Sequence, residues 1–540
     1  MLCFILSLLQ ALRAVSHHYP NIMLVCWEKV STIVYGFLRV ASPEVPTRPW
    51  RDLVGNTVGS MEEKVTTAAI KVLDECLRAI SGFKGTEDLL DDKSLDYAFT
   101  SEYPRIKKIS SAPSYGSESP TVTKDESEIS HSGSKQWCEA MEKHMPLIIW
   151  HTSAMVRAAS VTCFAGITSS VFFSVPKEKQ DFIITSSINA ALNDEAPSVR
   201  SAACRAIGVI TCFPQISESA EILHKFVHAA EINTHDQLVS VRITASWALA
   251  NVCDSLRHCI NGFTSGRCSI DSKESSQLIA LSTESALRLT KDGDKVKANA
   301  VRALGNLSRK QLPSNSFQSA FVEDTCWLER IVQAFLSCVT TGNVKVQWNV
   351  CHALSNLFLN ETLKLQDMDW APSVFSILLL LLRDSSNFKI RIQAAAALAV
   401  PATILDYGRS FSDVIQGVEH ILEHLSSDQI STPSSFKYRI ALEKQLTSTM
   451  LHVLSLASRT DHQPTRDFLV KKASFLEEWL KMLCSLLEET SSQPEADNNS
   501  TNSQKKEVIS KAIRSLTDVY EGGNHHAIAR RFDKLTNSMQ

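Results

Sequence analysis

Apolar residues recur at helical spacing in six segments of this chain, and each segment begins with an aliphatic residue. In each segment the mostly apolar or small positions lie at offsets 0, 3, 4, 7, 8 and 11 from the first residue, which is one face of an α-helix. The segments are 43, 42, 55, 50 and 44 residues apart and begin at Val156, Val199, Val241, Val296, Val346 and Ile390. This spacing is typical of a solenoid, in which each repeat packs only against its neighbours.

Five of these segments, all but the one that begins at Val156, follow another apolar helix, and every repeat is predicted to be a helical hairpin. We call the two parts the first helix and the second helix. The second helices carry a small residue at offset 7, where two backbones can approach closely: Cys163, Ala206, Ala248, Ala303, Ala353 and Ala397. The predicted first helices are 181–192, 220–230, 277–289, 327–339 and 372–382. Aspartates lie in or beside the predicted turns and are expected to cap backbone donors there: Asp194, Asp236, Asp292 and Asp384.

The fold class predicted from this pattern is all-α, because glycine is scarce and no sustained alternation of apolar and polar residues occurs. The segment from Asp194 to Ala203 has an aspartate, Val-Arg about five residues later and then a helix of small residues, and it resembles a HEAT repeat. The segments 247–252, 303–307 and 353–357 resemble the third helix of the related armadillo repeats. The resemblance implies an α-α superhelix of the HEAT/armadillo type that acts as a non-catalytic scaffold.

A row of residues at offsets 6 and 10 is the sharpest candidate for a binding site. We call it the asparagine ladder: Trp247 with Asn251, Arg302 with Asn306, and His352 with Asn356. These offsets lie about 130° and about 90° from the centre of the buried stripe, so both are expected to face the concave groove. Asparagine amides can hold the backbone of an extended peptide, and an adjacent aromatic ring can pack its side chains. Resemblance to armadillo proteins that bind basic targeting peptides suggests this role, although only Trp247 supplies the expected tryptophan.

Two interpretations of the ladder and of its charge remain open. The asparagines could instead bond adjacent helices or loops. A net charge of −3 without a long polybasic run makes nucleic acid an unlikely partner. The alternative function is a transport or nucleic-acid-associated adaptor that uses a row of basic residues. We call this row the basic ladder: Arg157, Arg200, Arg242, Lys297 and Arg391. These side chains could instead bond within and between the repeats.

The sequence contains no motif that predicts an enzyme or a cofactor. There is no glycine-rich phosphate loop, nucleophile elbow or zinc-binding motif. The 14 cysteines are scattered without a Cys-x-x-Cys pair, which favours a reducing compartment and hence a cytoplasmic or nuclear location. The cluster of Cys253, His258, Cys259 and Cys268 matches no zinc spacing, so no metal is predicted. The apolar segment 1–12 is too short to cross a membrane and is expected to be a solenoid helix, with a signal peptide as the alternative.

The predicted domain organisation is an interrupted repeat array. Residues 1–83 are assigned to N-terminal repeats, 84–136 to a disordered Ser-rich insertion, 137–489 to the main array, 490–506 to a polar linker and 507–540 to a C-terminal helix and tail. The insertion has too few apolar groups to offset the entropy of ordering. Ser119, which precedes a proline, and Thr123, which precedes Glu126 by three residues, are candidate phosphorylation sites.

Overall fold

The computed structural model describes residues 1–40, 57–83, 133–264, 272–309, 324–425, 433–459, 462–491 and 498–538. Within these ranges the chain forms helices joined by short turns and contains no β-strand. No helix in the described ranges combines the length and apolar character needed to cross a bilayer. The described residues fall into two compact units, the first ending at Leu307 and the second beginning at Ser308.

The first unit is a row of helical hairpins. Its helices are α1 Leu2–His18, α2 Pro20–Val40, α3 Thr57–Ile80, α4 Ser134–Glu139, α5 Met145–Ile148, α6 Ala154–Phe164, α7 Ser169–Ser174, α8 Lys177–Asn193, α9 Pro197–Ile210, α10 Ala220–Asn233, α11 Val239–Thr264, α12 Ser272–Leu289 and α13 Asp294–Ser308. A π-helical turn, Ala140–His144, joins α4 to α5. Helices α1, α3, α6, α9 and α11 each pack against the next in this order, and they form the row of second helices. Helices α8, α10 and α12 form the parallel row of first helices.

The second unit continues the same kind of hairpin. Its helices are α14 Asp324–Thr341, α15 Val344–Phe358, α16 Ala371–Asp384, α17 Phe388–Leu398, α18 Ile404–Tyr407, α19 Phe411–His424, α20 Pro433–Leu456, α21 Gln463–Lys471, α22 Ala473–Ser491, α23 Asn498–Gly522 and α24 His526–Ser538. The successive second helices α15, α17, α20 and α23 contact one another in order. Each unit is therefore built on the repeat principle that the sequence predicts.

The predicted starting positions and buried faces of the second helices are confirmed. The first residue of each of the six segments is buried to within 1% of complete, and each second helix begins two residues before it. Ala203, Ala206 and Ile207, at offsets 4, 7 and 8 of α9, have no exposed surface. The all-α solenoid fold is thus fixed by these buried faces, because each helix covers the apolar stripe of its neighbours.

Three local expectations differ from the structure. The predicted linker 490–506 is helical from Asn498 onward, and the predicted C-terminal tail forms α24. Asp384 ends α16 and pairs with the adjacent Arg383, while Asn387 caps α17 by accepting a hydrogen bond from the amide of Lys389. A short amide side chain accepts the same amide protons as an aspartate. Most of the predicted insertion lies outside the described residues, and its last part, from Ser134, begins α4.

Candidate functional site

Trp247 lies on α11 and packs against Gly208 of the neighbouring helix α9. A Cβ atom at Gly208 would come within 2.4 Å of Cζ3 of Trp247. The guanidinium carbon of Arg205 lies 5.3 Å from the centroid of the Trp247 ring, a cation–π geometry. Trp247 is partly buried and Arg205 is exposed, so the ring and the guanidinium form one continuous surface across two repeats.

Asn251 lies beneath this surface and joins three helices. Its Nδ2 donates to the carbonyl oxygen of Gly208 at 2.8 Å, and its Oδ1 accepts from Nη2 of Arg302 at 2.6 Å. The same nitrogen of Arg302 is 3.3 Å from the carbonyl oxygen of Trp247. Only 2% of the Asn251 surface is exposed. Its amide therefore orients Arg302 and holds α9, α11 and α13 together.

Asn306 follows the same rule one repeat later. Its Nδ2 donates to the carbonyl oxygen of Ala250 at 3.1 Å, and the residue is half-buried. Both asparagines of the first unit thus use their amide nitrogens in bonds to the preceding helix, as the alternative interpretation expects. Arg205 is exposed, whereas Trp247 and Arg302 are partly buried. Peptide binding by the asparagine ladder stays a prediction.

The remaining ladder residues lie on α15 in the second unit. Nδ2 of Asn356 is 3.5 Å from Nδ1 of His352, and Asn356 is 5% exposed. The ring of His352 lies 6.1 Å from that of Trp348, which is 38% exposed. Trp348 is not among the predicted site residues, because it occupies offset 2. The signal that could have revealed it is its spacing of four residues from His352, which places both rings on one helical face.

The basic ladder proves to be part of the repeat framework. Three of its arginines each bind an aspartate in the turn of the following repeat, and we call these pairs the arginine–aspartate ladder: Arg157 with Asp194, Arg200 with Asp236, and Arg242 with Asp292. Each guanidinium also donates to two carbonyl oxygens in the loop before its own helix, at 2.8 to 2.9 Å. One side chain therefore connects two consecutive turns.

In the pair of Arg242 with Asp292, the hydrogen bond favours the charged form of both partners. The hydrogen bond from Arg242 lowers the pKa of Asp292 against the opposing effect of burial, and it raises the pKa of Arg242. The other two basic side chains also contact their own repeats. Lys297 lies 3.8 Å from Asp294, and Nε of Arg391 donates to the carbonyl oxygen of Leu382 at 2.9 Å.

Substitution of two helical glycines by alanine should change stability in opposite directions, because Gly208 contacts Trp247 and an added Cβ atom at Gly36 would meet no neighbour. In Gly208→Ala the new Cβ would lie 2.4 Å from the Trp247 ring and 3.1 Å from the backbone of Ala248, so overpacking should cost about 1–3 kcal/mol. Gly36→Ala, in α2, meets nothing within 4 Å and should gain up to about 1 kcal/mol from helix propensity. Urea unfolding of both variants measures the difference. Equal shifts in the two midpoints would contradict the close approach of α9 and α11.

The remaining candidates are largely structural or lie outside the described residues. Cys253 is fully buried, and burial raises the pKa of its thiol to about 12, so the thiol stays protonated. Cys268 and the candidate phosphorylation sites Ser119 and Thr123 are outside the described ranges. The described part of the chain contains no group of three or more His, Cys, Asp or Glu side chains arranged to hold a metal.

Comparison with known proteins agrees with the hairpin geometry. The HEAT repeat family model matches residues 186–211, which comprise the end of α8 and all of α9. Residues 186–211 are thus similar to a HEAT repeat. The matched segment contains both Asp194 and Arg200, so two arginine–aspartate pairs meet in it.

The relatives are distant. An uncharacterized protein of Dictyostelium discoideum is 25% identical over 56% of this chain, and the chain spans 26% of that protein. A designed armadillo repeat protein in complex with the peptide (KR)4 shares 17% identity over 49% of this chain and 99% of its own, with a TM-score of 0.31. An engineered protein shares 17% identity over 72% of this chain and 92% of its own, with a TM-score of 0.35. These TM-scores are too low to support a conclusion about binding.

Proposed function

We propose that this chain is a non-catalytic scaffold or adaptor that binds a protein or an extended peptide along its row of second helices. The observation that carries the proposal is the surface formed by Trp247, Arg205 and Arg302. It crosses three consecutive repeats, and the buried Asn251 orients Arg302 from below. An aromatic ring flanked by guanidiniums offers apolar area and hydrogen-bond donors together, a combination enriched at protein interfaces.

The alternative function, a nucleic-acid-associated or transport adaptor, gains no support from the contacts of the basic ladder. Three of its arginines are bound to carboxylates, which neutralise their charge toward an incoming phosphate. The proposal extends to a cytoplasmic or nuclear location, to phosphorylation of Ser119 and Thr123, and to the domain boundaries given above apart from those of the insertion and the linker. It also includes a specific relationship with HEAT repeat-containing protein 6, which the segment from Ala196 to Leu256 resembles in sequence.

The test compares partners captured by purified wild-type chain, Trp247→Ala and Trp150→Ala. Trp150 is a matched control, because it is 65% exposed and lies in the turn after α5. Trp247→Ala should lose a specific partner that wild type and Trp150→Ala retain, since truncation of an interface tryptophan costs about 2 kcal/mol or more. Circular dichroism and thermal melting establish that each variant is folded. A partner retained by folded Trp247→Ala, or lost equally by both variants, would refute this surface as the binding site.

A further inference from the structure

A cavity of about 290 Å³ lies between α1, α3 and the start of α6 in the first unit. Its volume is at the lower end of the range for small-ligand sites, about 300–1,000 Å³, so it has room for one compact group. Gln10 and Arg13 line it from α1, and Lys64 and Lys71 line it from α3. Apolar side chains complete the wall, among them Leu6 and Met155.

The cavity carries excess positive charge. Nε of Arg13 is 3.5 Å from a carboxylate oxygen of Glu75, whose other oxygen is 2.8 Å from Nδ1 of His17. In the part of the chain that the structure describes, neither Lys64 nor Lys71 forms an ion pair. Three cations and one carboxylate leave an excess of two positive charges. A phosphate monoester carries about −1.5 to −2 at neutral pH and matches this excess, whereas a single carboxylate supplies half of it.

Thr67 adds a hydroxyl group that forms no hydrogen bond with other described residues. The residue lines the cavity and is 6% exposed, and its hydroxyl has no hydrogen-bond partner among the described residues. Its neighbour Thr66 donates to the carbonyl oxygen of Glu62 at 3.0 Å, the usual solution within a helix. Threonine populates two side-chain rotamers in a helix, so a change of rotamer can turn the Thr67 hydroxyl toward an acceptor in the cavity.

We propose that this cavity binds the phosphate group of a phosphorylated serine or threonine on a partner protein. Arg13, Lys64 and Lys71 pair with the phosphate oxygens, and the Gln10 amide and the Thr67 hydroxyl donate hydrogen bonds to them. The apolar wall contacts the carbon atoms that carry the phosphate. A peptide is favoured over a nucleic acid because no aromatic ring lines the cavity to stack a base. The site is separate from the Trp247 surface and does not depend on the function proposed for it.

The test is calorimetric titration of the full chain with N-acetyl-phosphothreonine methylamide and with the same compound lacking phosphate. The phosphorylated compound should bind and the other should not. Lys64→Gln/Lys71→Gln should weaken binding at least about tenfold, because two charge-assisted contacts are lost. Lys345→Gln removes an exposed lysine of α15 and should leave binding unchanged. Equal affinity of wild type and the double variant, or no binding by wild type, would overturn the proposal.

Thr67→Val separates binding from stability. Valine keeps the shape and removes the hydroxyl, so binding should weaken several-fold while the melting temperature stays the same or rises. A lower melting temperature with unchanged affinity would assign the hydroxyl a structural role and overturn its place in the site. Inorganic phosphate binding as tightly as the phosphothreonine compound would identify a free anion as the ligand. Stronger binding to vesicles containing phosphatidylinositol 4-phosphate, or to a single-stranded oligonucleotide, would likewise overturn the peptide assignment.

Discussion

Replacing Ala203 by aspartate should unfold the first unit at ordinary temperature. Ala203 lies on α9 and has no exposed surface, so the carboxylate would enter the packed seam between second helices without a partner. An unpaired charge in such a place belongs to the most destabilising class of substitution, with an expected cost of about 4 kcal/mol or more. Thermal unfolding followed by circular dichroism measures the loss.

Ser198→Asp is the matched control on the same helix. Ser198 is exposed in the first turn of α9, where a negative charge interacts favourably with the free amide groups. This variant should melt at the wild-type temperature or slightly above it. If Ala203→Asp melted together with Ser198→Asp, the assigned face of α9 would be wrong.

Replacing Arg200 by alanine should have the next largest effect. Arg200 donates twice to Asp236, at 2.6 and 2.9 Å, and also to the carbonyl oxygens of Asp194 and Glu195. The side chain of Asp236 is only 8% exposed, so its carboxylate would lose its counter-charge in a poorly solvated place. The expected cost is about 3 kcal/mol in the free energy of unfolding of the first unit.

Arg383→Ala tests whether burial causes this effect. Arg383 also donates two hydrogen bonds to one aspartate, Asp384, at 2.7 Å each, but both side chains are more than half exposed. Solvent screens such a pair, so chemical denaturation should detect no change. Similar losses in Arg200→Ala and Arg383→Ala would show that the arginine–aspartate ladder contributes no more than surface ion pairs.

The fold could be predicted because the sequence of a single helix shows which of its faces is apolar and therefore buried. The apolar positions counted from Val199 and from Val241 can each be identified within one repeat, and both of these residues are buried as expected. The asparagines show the limit of this reasoning. Offset 10 lies beside the buried stripe of an isolated helix, yet Asn251 is almost fully buried because α9 packs alongside α11. Burial there depends on a neighbour that periodicity within one segment does not describe.

The contacts of the candidate site residues could not be predicted from the sequence. Trp247 and Arg302 share offset 6 in successive repeats, both are partly buried, and Nη2 of Arg302 lies 3.3 Å from the carbonyl oxygen of Trp247. The packing of Trp247 over Gly208 joins residues about forty positions apart, and so does the bond from Asn251 to Gly208. Such pairs depend on the exact stagger between repeats, which varies because the spacing between segments is uneven.

The arginine–aspartate ladder also determines how the first unit can deform. Its bonds run along one edge of the array, from the turn before α6 to the turn after α12, and each connects a loop to the next. An edge held by short bonds resists stretching, whereas hairpins that pack through apolar side chains can slide and tilt by small amounts. We therefore expect that, under tension, the edge of the first unit that carries the ladder lengthens less than the opposite edge.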